Sequence, residues 1–300
     1  MAKKPVIGLL GGGQLGRLLQ EAIAPLGIEI VVLDEANCPA RQISQNIKHV
    51  TGSFTDPERI RELAAKCDIL TVEIEHVNTE ILEEIATKGV VVSPGELKKV
   101  PVHPSWETLR LIQDKYLQKE HFGQAGIPIT PQMAIDAGIS APNSLREAAR
   151  RFGFPFMLKA RKGSYDGRGN FKLRDAEDFD EAIQSMGKLH LYAEKWVAFE
   201  KELAVIVVRT EDDDGKLRDV LAYPAVETVH EDNICTKVFY PPRQVPIEIS
   251  EKASKTAADV IRTLKGRGVY AVEMFLLQDG KSPWKRAVVE RLITWQEVLW

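Results

Sequence analysis

The chain has 300 residues, with 40 Lys and Arg against 43 Asp and Glu, a formal net charge of −3 at pH 7. That length suits about two domains, each able to bury a core, and the balance shows no overall basic excess for nucleic acid or an anionic membrane. Hydrophobic residues at 44% and charged residues at 28% describe an ordinary globular chain, which excludes a disordered tail, a collagen and a disulfide scaffold.

The apolar run Val6–Leu10 predicts a buried strand, and residues 14–26 predict a helix with Leu15, Leu18, Leu19, Ala22 and Ile23 at helical spacing. The run is too short for a signal peptide or a membrane span. Gly27 ends the helix and residues 28–33 give a second strand. Helices over Pro57–Lys66 and Thr79–Thr87 then alternate with strands over 69–73 and 90–92. Such alternation predicts an α/β, Rossmann-like parallel-sheet domain over residues 1–104, closed by a linker at 101–104.

The second half has a different texture. A long helix over 106–125 precedes a Gly-Ile-Pro turn, a short strand at 156–159 and a glycine-rich stretch at 161–169. A helix over 175–185 and a strand over 191–194 follow. The strands at 203–209 and 220–229 alternate as in an antiparallel sheet. A helix over 250–264 and a strand over 270–277 complete the pattern. Cys38, Cys67 and Cys235 are odd in number and far apart, with no Cys-x-x-Cys, so three reduced thiols in a cytoplasmic protein are expected.

Three features carry chemistry. Gly11-Gly12-Gly13-Gln14-Leu15-Gly16 satisfies G-x-G-x-x-G between a strand and a helix, with Asp34 ending the next strand where a ribose-binding acid would sit. Taken alone it supports an NAD(P)-dependent oxidoreductase, a simple phosphate site or only a tight turn. Glu73-Ile74-Glu75-His76 lies at the carboxyl end of a strand, where open sheets bind ligands, and serves equally as a solvated end capping the next helix. Lys159 and the run Arg161-Lys162-Gly163-Ser164-Tyr165-Asp166-Gly167-Arg168-Gly169 combine cations with exposed amides, as polyphosphate binding requires; an ordinary basic hairpin is the alternative. Downstream stand Glu194, Glu202 and, in the apolar run Val272-Glu273-Met274-Phe275, Glu273. A carboxylate so placed needs a partner, either magnesium or a basic side chain.

In this order the set resembles the ATP-grasp superfamily, and within it the 5-(carboxyamino)imidazole ribonucleotide synthetases. The residues that carry the likeness are Gly11 to Arg17, Glu73-Ile-Glu-His76, Gln113-Asp-Lys-Tyr-Leu-Gln-Lys-Glu120 and Tyr165-Asp-Gly-Arg-Gly-Asn170. Tyr192-Ala-Glu-Lys-Trp196, Glu202-Leu-Ala-Val205 and Val272-Glu-Met-Phe275 complete them. The wording is nearest to the fungal form, where the synthetase is the first part of a longer phosphoribosylaminoimidazole carboxylase. The resemblance implies an ATP-grasp module over 105–300, with a lid at about 128–197 and a central lobe at about 198–300. It also implies a ligase of purine biosynthesis that makes carboxyphosphate from ATP and bicarbonate and carboxylates the amino group of aminoimidazole ribonucleotide.

By matching position, Lys115 and Lys159 would hold the ATP phosphates. Glu194, Lys195, Trp196, Val197 and Glu202 would take the adenosine end. Gly13, Gln14, Leu15, Glu73, Tyr165 and Arg168 would face the ribonucleotide, with Tyr165, Asp166 and Arg168 at the reacting end. Glu273 would hold Mg2+. The family admits a homodimer and a fused or partnered mutase-type carboxylase, which adds lyase (decarboxylase) activity, and involves no nucleic acid or membrane.

After Gly280 the likeness fails. The family continues with a second magnesium carboxylate and an Arg-x-His-Asn-Ser-Gly-His segment. Here the run 281–300 carries three of the five tryptophans, and Glu290 alone offers to imitate the missing carboxylate. A central lobe left incomplete by a shifted frame or truncation is therefore expected, and a catalytically dead ATP-binding remnant is the further alternative.

Overall fold

The computed structural model describes residues 4–44, 46–163, 169–232, 234–279 and 282–294. The chain divides into two compact units. One comprises Met1–Arg110, Arg209–Asp219 and Leu264–Val269; the other comprises Leu111–Val208, Val220–Thr263 and Tyr270–Trp300.

The first unit contains β1 (Val6–Leu10), α1 (Gln14–Ile23), β2 (Glu29–Asp34), α2 (Pro39–Gln42), β3 (Val50–Thr51), α3 (Pro57–Lys66) and β4 (Ile69–Val72). α4 (Thr79–Thr87) and a hairpin of β5 (Val90–Ser93) and β6 (Glu96–Lys98) follow. The order β3-β2-β1-β4 is parallel throughout, as the alternation predicts. Both faces are covered: Leu10, Val31 and Leu33 enter one apolar cluster with Ile60, Leu63 and Leu82, while Leu9, Ile30 and Val32 enter another with Ala40. Burial on both faces is why β1 and β2 read as unbroken apolar runs. Asp56 caps α3 by accepting from Glu58 N at 2.9 Å, and Pro57 sets its first turn.

Three local expectations need correction. β4 ends at Val72, one residue short of the strand expected over 69–73, so Glu73 lies beyond it. Residues 101–104 are not a free linker: Leu70 N donates to Pro101 O and His103 N to Leu70 O, each at 2.9 Å, with Val102 buried beside β4. The single helix expected over 106–125 is two, α5 (Trp106–Ile112) and α6 (Lys115–Gln124). Asp114 breaks it, because its carboxylate accepts from Leu117 N at 3.1 Å and starts α6 anew.

The second unit carries two further sheets. One orders as β7-β10-β8-β9, built from β7 (Gln132–Ile135), β8 (Phe156–Ala160), β9 (Asn170–Leu173) and β10 (Leu191–Lys195). α7 (Ala141–Phe152) and α8 (Asp178–Met186) pack on it through Leu145, Ala148, Phe179 and Ala182 against Phe156 and Leu158. The other sheet orders as β14-β13-β11-β15-β16, with β12 beside β11. Its strands are β11 (Phe199–Glu211), β12 (Leu217–Ala222), β13 (Val226–Glu231), β14 (Ile234–Phe239), β15 (Gly268–Asp279) and β16 (Ser282–Thr294), with α9 (Ile247–Arg262) between β14 and β15.

β16 spans Ser282–Thr294, beyond the sequence blocks that carry the resemblance. It pairs antiparallel with β15 from Tyr270↔Thr294 to Asp279↔Ser282, and Val289 and Leu292 are buried. Gln118 on α6 clasps it twice, donating to Leu292 O at 2.9 Å and accepting from Leu292 N at 3.0 Å. Among the described residues no helix is long and apolar enough to cross a membrane.

Candidate functional site

In the first unit the glycine turn closes on the protein itself. Glu73 accepts from Gly13 N and, at 3.1 Å, from Leu15 N, the first free amides of α1. A helix start invites an anion, and here the chain's own carboxylate fills that place. Burial pushes the Glu73 pKa up; the Gly16, Gly13 and Leu15 amides restrain that rise and Asp34 reinforces it. Asp34, the expected ribose acid, instead accepts from Gly12 N at 2.6 Å. A Cβ on Gly13 would lie 2.6 Å from Glu73 Oε1, so a larger residue there would push the carboxylate away from its amide partners. Leu15 is buried under the turn and Gln14 is exposed. The G-x-G-x-x-G sequence therefore makes a self-satisfied turn, and the dinucleotide reading loses its phosphate position.

In the second unit Lys119, Lys159, Glu194 and Glu290 close a ring of alternating charge. Lys119 Nζ bonds Glu194 and, at 2.9 Å, Glu290; Lys159 Nζ lies 3.0 Å from Glu194 and 2.7 Å from Glu290. The four side chains come from α6, β8, β10 and β16. β8 and β10 are antiparallel neighbours, which places Lys159 across from Tyr192 and near Glu194. Burial alone would lower the Lys159 pKa, yet Glu194 and Glu290 raise it well above the ordinary lysine value. Burial likewise opposes ionisation of Glu290, but Lys119 and Lys159 hold its carboxyl far below the usual range. Two charges of each sign, mutually bonded, are the arrangement in which buried ions are tolerable.

The other expected residues take varied places. Lys115 begins α6, its N–H donating to Arg161 O at 2.8 Å. Lys195 and Trp196 are exposed at the end of β10, with Lys172 Nζ 3.9 Å from the Trp196 ring centre, and Val197 is half-buried. Glu202 lies 2.6 Å from His230 Nδ1, whose pKa it raises. Tyr165, Asp166 and Arg168 lie outside the described residues.

Neither expected metal carboxylate is free for a cation in this arrangement. Arg291 bonds Glu273 through Nε and, at 3.3 Å, through Nη2, while Glu290 is spanned by two lysines. Among the described residues no three His, Cys, Asp or Glu side chains are grouped to hold a metal. Glu273 thus takes the basic partner that sequence reasoning held as the alternative to magnesium. The residues as folded do not fit a divalent ion.

Lys119 and the Asp114–Arg161 pair were not singled out by sequence reasoning. Arg161 bonds Asp114 at 3.1 and 2.8 Å and lies over Tyr116, tying the start of the glycine-rich loop to the start of α6. A usable signal existed for Lys119: it stands three residues before Phe122 on the buried side of α6, where a lysine requires carboxylate partners.

Comparisons with known proteins extend the picture. The ribonucleotide synthetase preATP-grasp domain matches residues 3–113, and the ATP-grasp domain matches residues 120–283. A carboxyaminoimidazole ribonucleotide synthase from Aspergillus clavatus, solved in complex with ATP, superposes with a TM-score of 0.85 at 42% identity, over 97% of this chain and 70% of that one. The chain belongs to the carboxyaminoimidazole ribonucleotide synthetase family of ATP-grasp proteins. A second Aspergillus clavatus structure, with ADP and 5-aminoimidazole ribonucleotide, also gives 0.85 at 41% identity, over 98% of this chain and 70% of that one. The Schizosaccharomyces pombe phosphoribosylaminoimidazole carboxylase is 45% identical over 284 residues, 94% of this chain and 47% of that protein. The Mycobacterium tuberculosis N5-carboxyaminoimidazole ribonucleotide synthase is 34% identical over 280 residues, 92% and 60% respectively. This chain thus spans about half the length of the fungal relative.

Proposed function

We propose that the chain carries the ATP-binding part of a synthetase that carboxylates the amino group of 5-aminoimidazole ribonucleotide. The single observation that carries this reading is the four-membered ring, which presents Lys159 at the partly open side of a buried, charge-balanced cluster. A phosphate chain recruits such a lysine by electrostatics, and phosphoryl transfer asks chiefly for positioning and for cations against spreading charge.

In the proposed reaction bicarbonate oxygen attacks the γ-phosphorus, giving ADP and carboxyphosphate. The substrate amine then attacks the carboxyl carbon and phosphate departs with its electron pair, while the amine proton passes to a base. In this reading Lys115 and Lys159 neutralise the phosphates. Glu202, Lys195, Trp196 and Val197 serve the adenosine end, and Glu194 acts through the lysines. The family resemblance assigns Tyr165, Asp166 and Arg168 to the reacting end, and within the first unit Glu73 holds the glycine turn shut. No step is assigned to a metal. The lid and lobe limits and a homodimer belong to the same proposal, as does a carboxylase partner with its lyase activity, the last supported by the fungal relatives that carry more chain.

Thermal unfolding with ATP, and separately with NAD, tests the nucleotide assignment. Protection by ATP alone is the expected result, and protection by NAD alone overturns the reading. ADP release dependent on both bicarbonate and the ribonucleotide distinguishes an enzyme from a binding remnant, which would bind ATP without turnover.

A further inference from the structure

The ring is not symmetric toward solvent. Side-chain exposure is 2% for Lys119 and 4% for Glu194, but 13% for Lys159 and 16% for Glu290. Lys119 therefore forms the floor, and Lys159 is the cation an incoming anion reaches first. Lys119 is also held in register from both sides. Asp114 starts its helix, and the neighbouring Gln118 clasps β16 two residues beyond Glu290.

This asymmetry has an electrostatic consequence. If Lys159 turned toward a phosphate with no other cation in the ring, Glu194 and Glu290 would remain as two adjacent, half-desolvated carboxylates. Stranding like charges in that way is strongly unfavourable, so such a Lys159 would stay locked between its carboxylates. With Lys119 beneath, one ammonium remains bonded to both glutamates when the other departs.

We infer that Lys119 is a positioning residue, a resident counter-ion that holds Glu194 and Glu290 and thereby releases Lys159 to a ligand's phosphates. The inference rests on the proposed ATP site and adds to it a residue that never touches the nucleotide. Its effect on ligand binding therefore falls on phosphate recognition, the step that needs Lys159 to exchange partners.

Calorimetric titration of the 300-residue chain with ATP and with AMP, at fixed salt, tests this. Lys119→Met, of similar length and no charge, is expected to weaken ATP binding about tenfold or more while leaving AMP within about twofold, and Lys119→Arg to restore most of the ATP affinity. Equal losses for ATP and AMP indicate a merely structural lysine and overturn the inference, as does unchanged ATP affinity in Lys119→Met. A wild-type chain that binds no ATP overturns instead the reading of Lys159 on which it rests. Should Lys119→Met not fold, lysine ammonium NMR of the wild type decides. A non-hydrolysable ATP analogue should move the Lys159 Nζ signal and leave that of Lys119 in place; movement of Lys119 alone, or of neither, overturns the inference.

Discussion

Lys159 and Glu290 stand 131 residues apart in the chain and 2.7 Å apart in the fold. One sits on the four-stranded sheet and the other on the last described strand of the larger sheet. Their meeting depends on α6, which bonds β16 through Gln118 and sends Lys119 to both glutamates. Glu290 is thereby a partner of lysines, and its strand is an integral part of the second unit.

Lys159→Met leaves Lys119 as the sole cation between two carboxylates. The expected loss is about 2–3 kcal/mol of stability, less than for a pair broken outright because one ammonium remains. Urea unfolding measures that loss, and thermal shift with ATP should show no protection while the far-UV spectrum stays native. Retained ATP protection would sink the phosphate role of Lys159.

Glu73→Ala removes the acceptor of Gly13 N and Leu15 N, at a cost of about 2–3 kcal/mol. The carboxyl has a raised native pKa, so the native state binds its proton more readily than the unfolded chain does. Its contribution is accordingly greatest in acid and diminishes as pH rises from the ordinary 4.5 through the raised native value. Glu73→Gln, which cannot ionise, should flatten the stability profile across that window. Denaturant midpoints between pH 4 and pH 7 check this, and a slope identical to wild type would contradict it.

Asp114 serves two partners, the Leu117 amide and the Arg161 guanidinium. Asp114→Asn keeps the helix cap and weakens the ion pair, whereas Asp114→Ala loses both. The expected costs are about 1 kcal/mol for Asn and about 2–3 kcal/mol for Ala. Equal costs in urea titrations would show that the helix cap contributes nothing.

Glu227 offers an acid-side test in the larger sheet. Burial would raise its pKa, but Arg243 at 2.7 Å and Lys201 at 2.9 Å hold it down to about 2. The unfolded chain binds that proton at about 4.5, so the stabilisation is full above that value and is lost as pH falls toward about 2. Glu227→Gln should therefore cost about 1–3 kcal/mol at pH 7 and progressively less toward pH 3. A penalty independent of pH would refute the ion-pair account.

The sequence by itself determined the parallel sheet, because apolar runs such as Val6–Leu10 and helical faces such as Ile60, Leu63 and Ala64 depend on local spacing alone. It also supplied the family, since ordered blocks of residue types are legible without coordinates. The tertiary structure alone decided who pairs with whom. Glu73 was legible as a functional carboxylate, but only the approach of β4 to α1 turned it onto the glycine amides. Glu273 and Glu290 were both legible as carboxylates in need of cations; the fold gave one an arginine and the other two lysines. Lys119 stood in a quoted block without a role of its own, because the sign of a buried charge is readable in sequence, whereas its partners, 75 and 171 residues away, come together only through packing. Electrostatics acts over ångströms, and distance along the chain does not measure it.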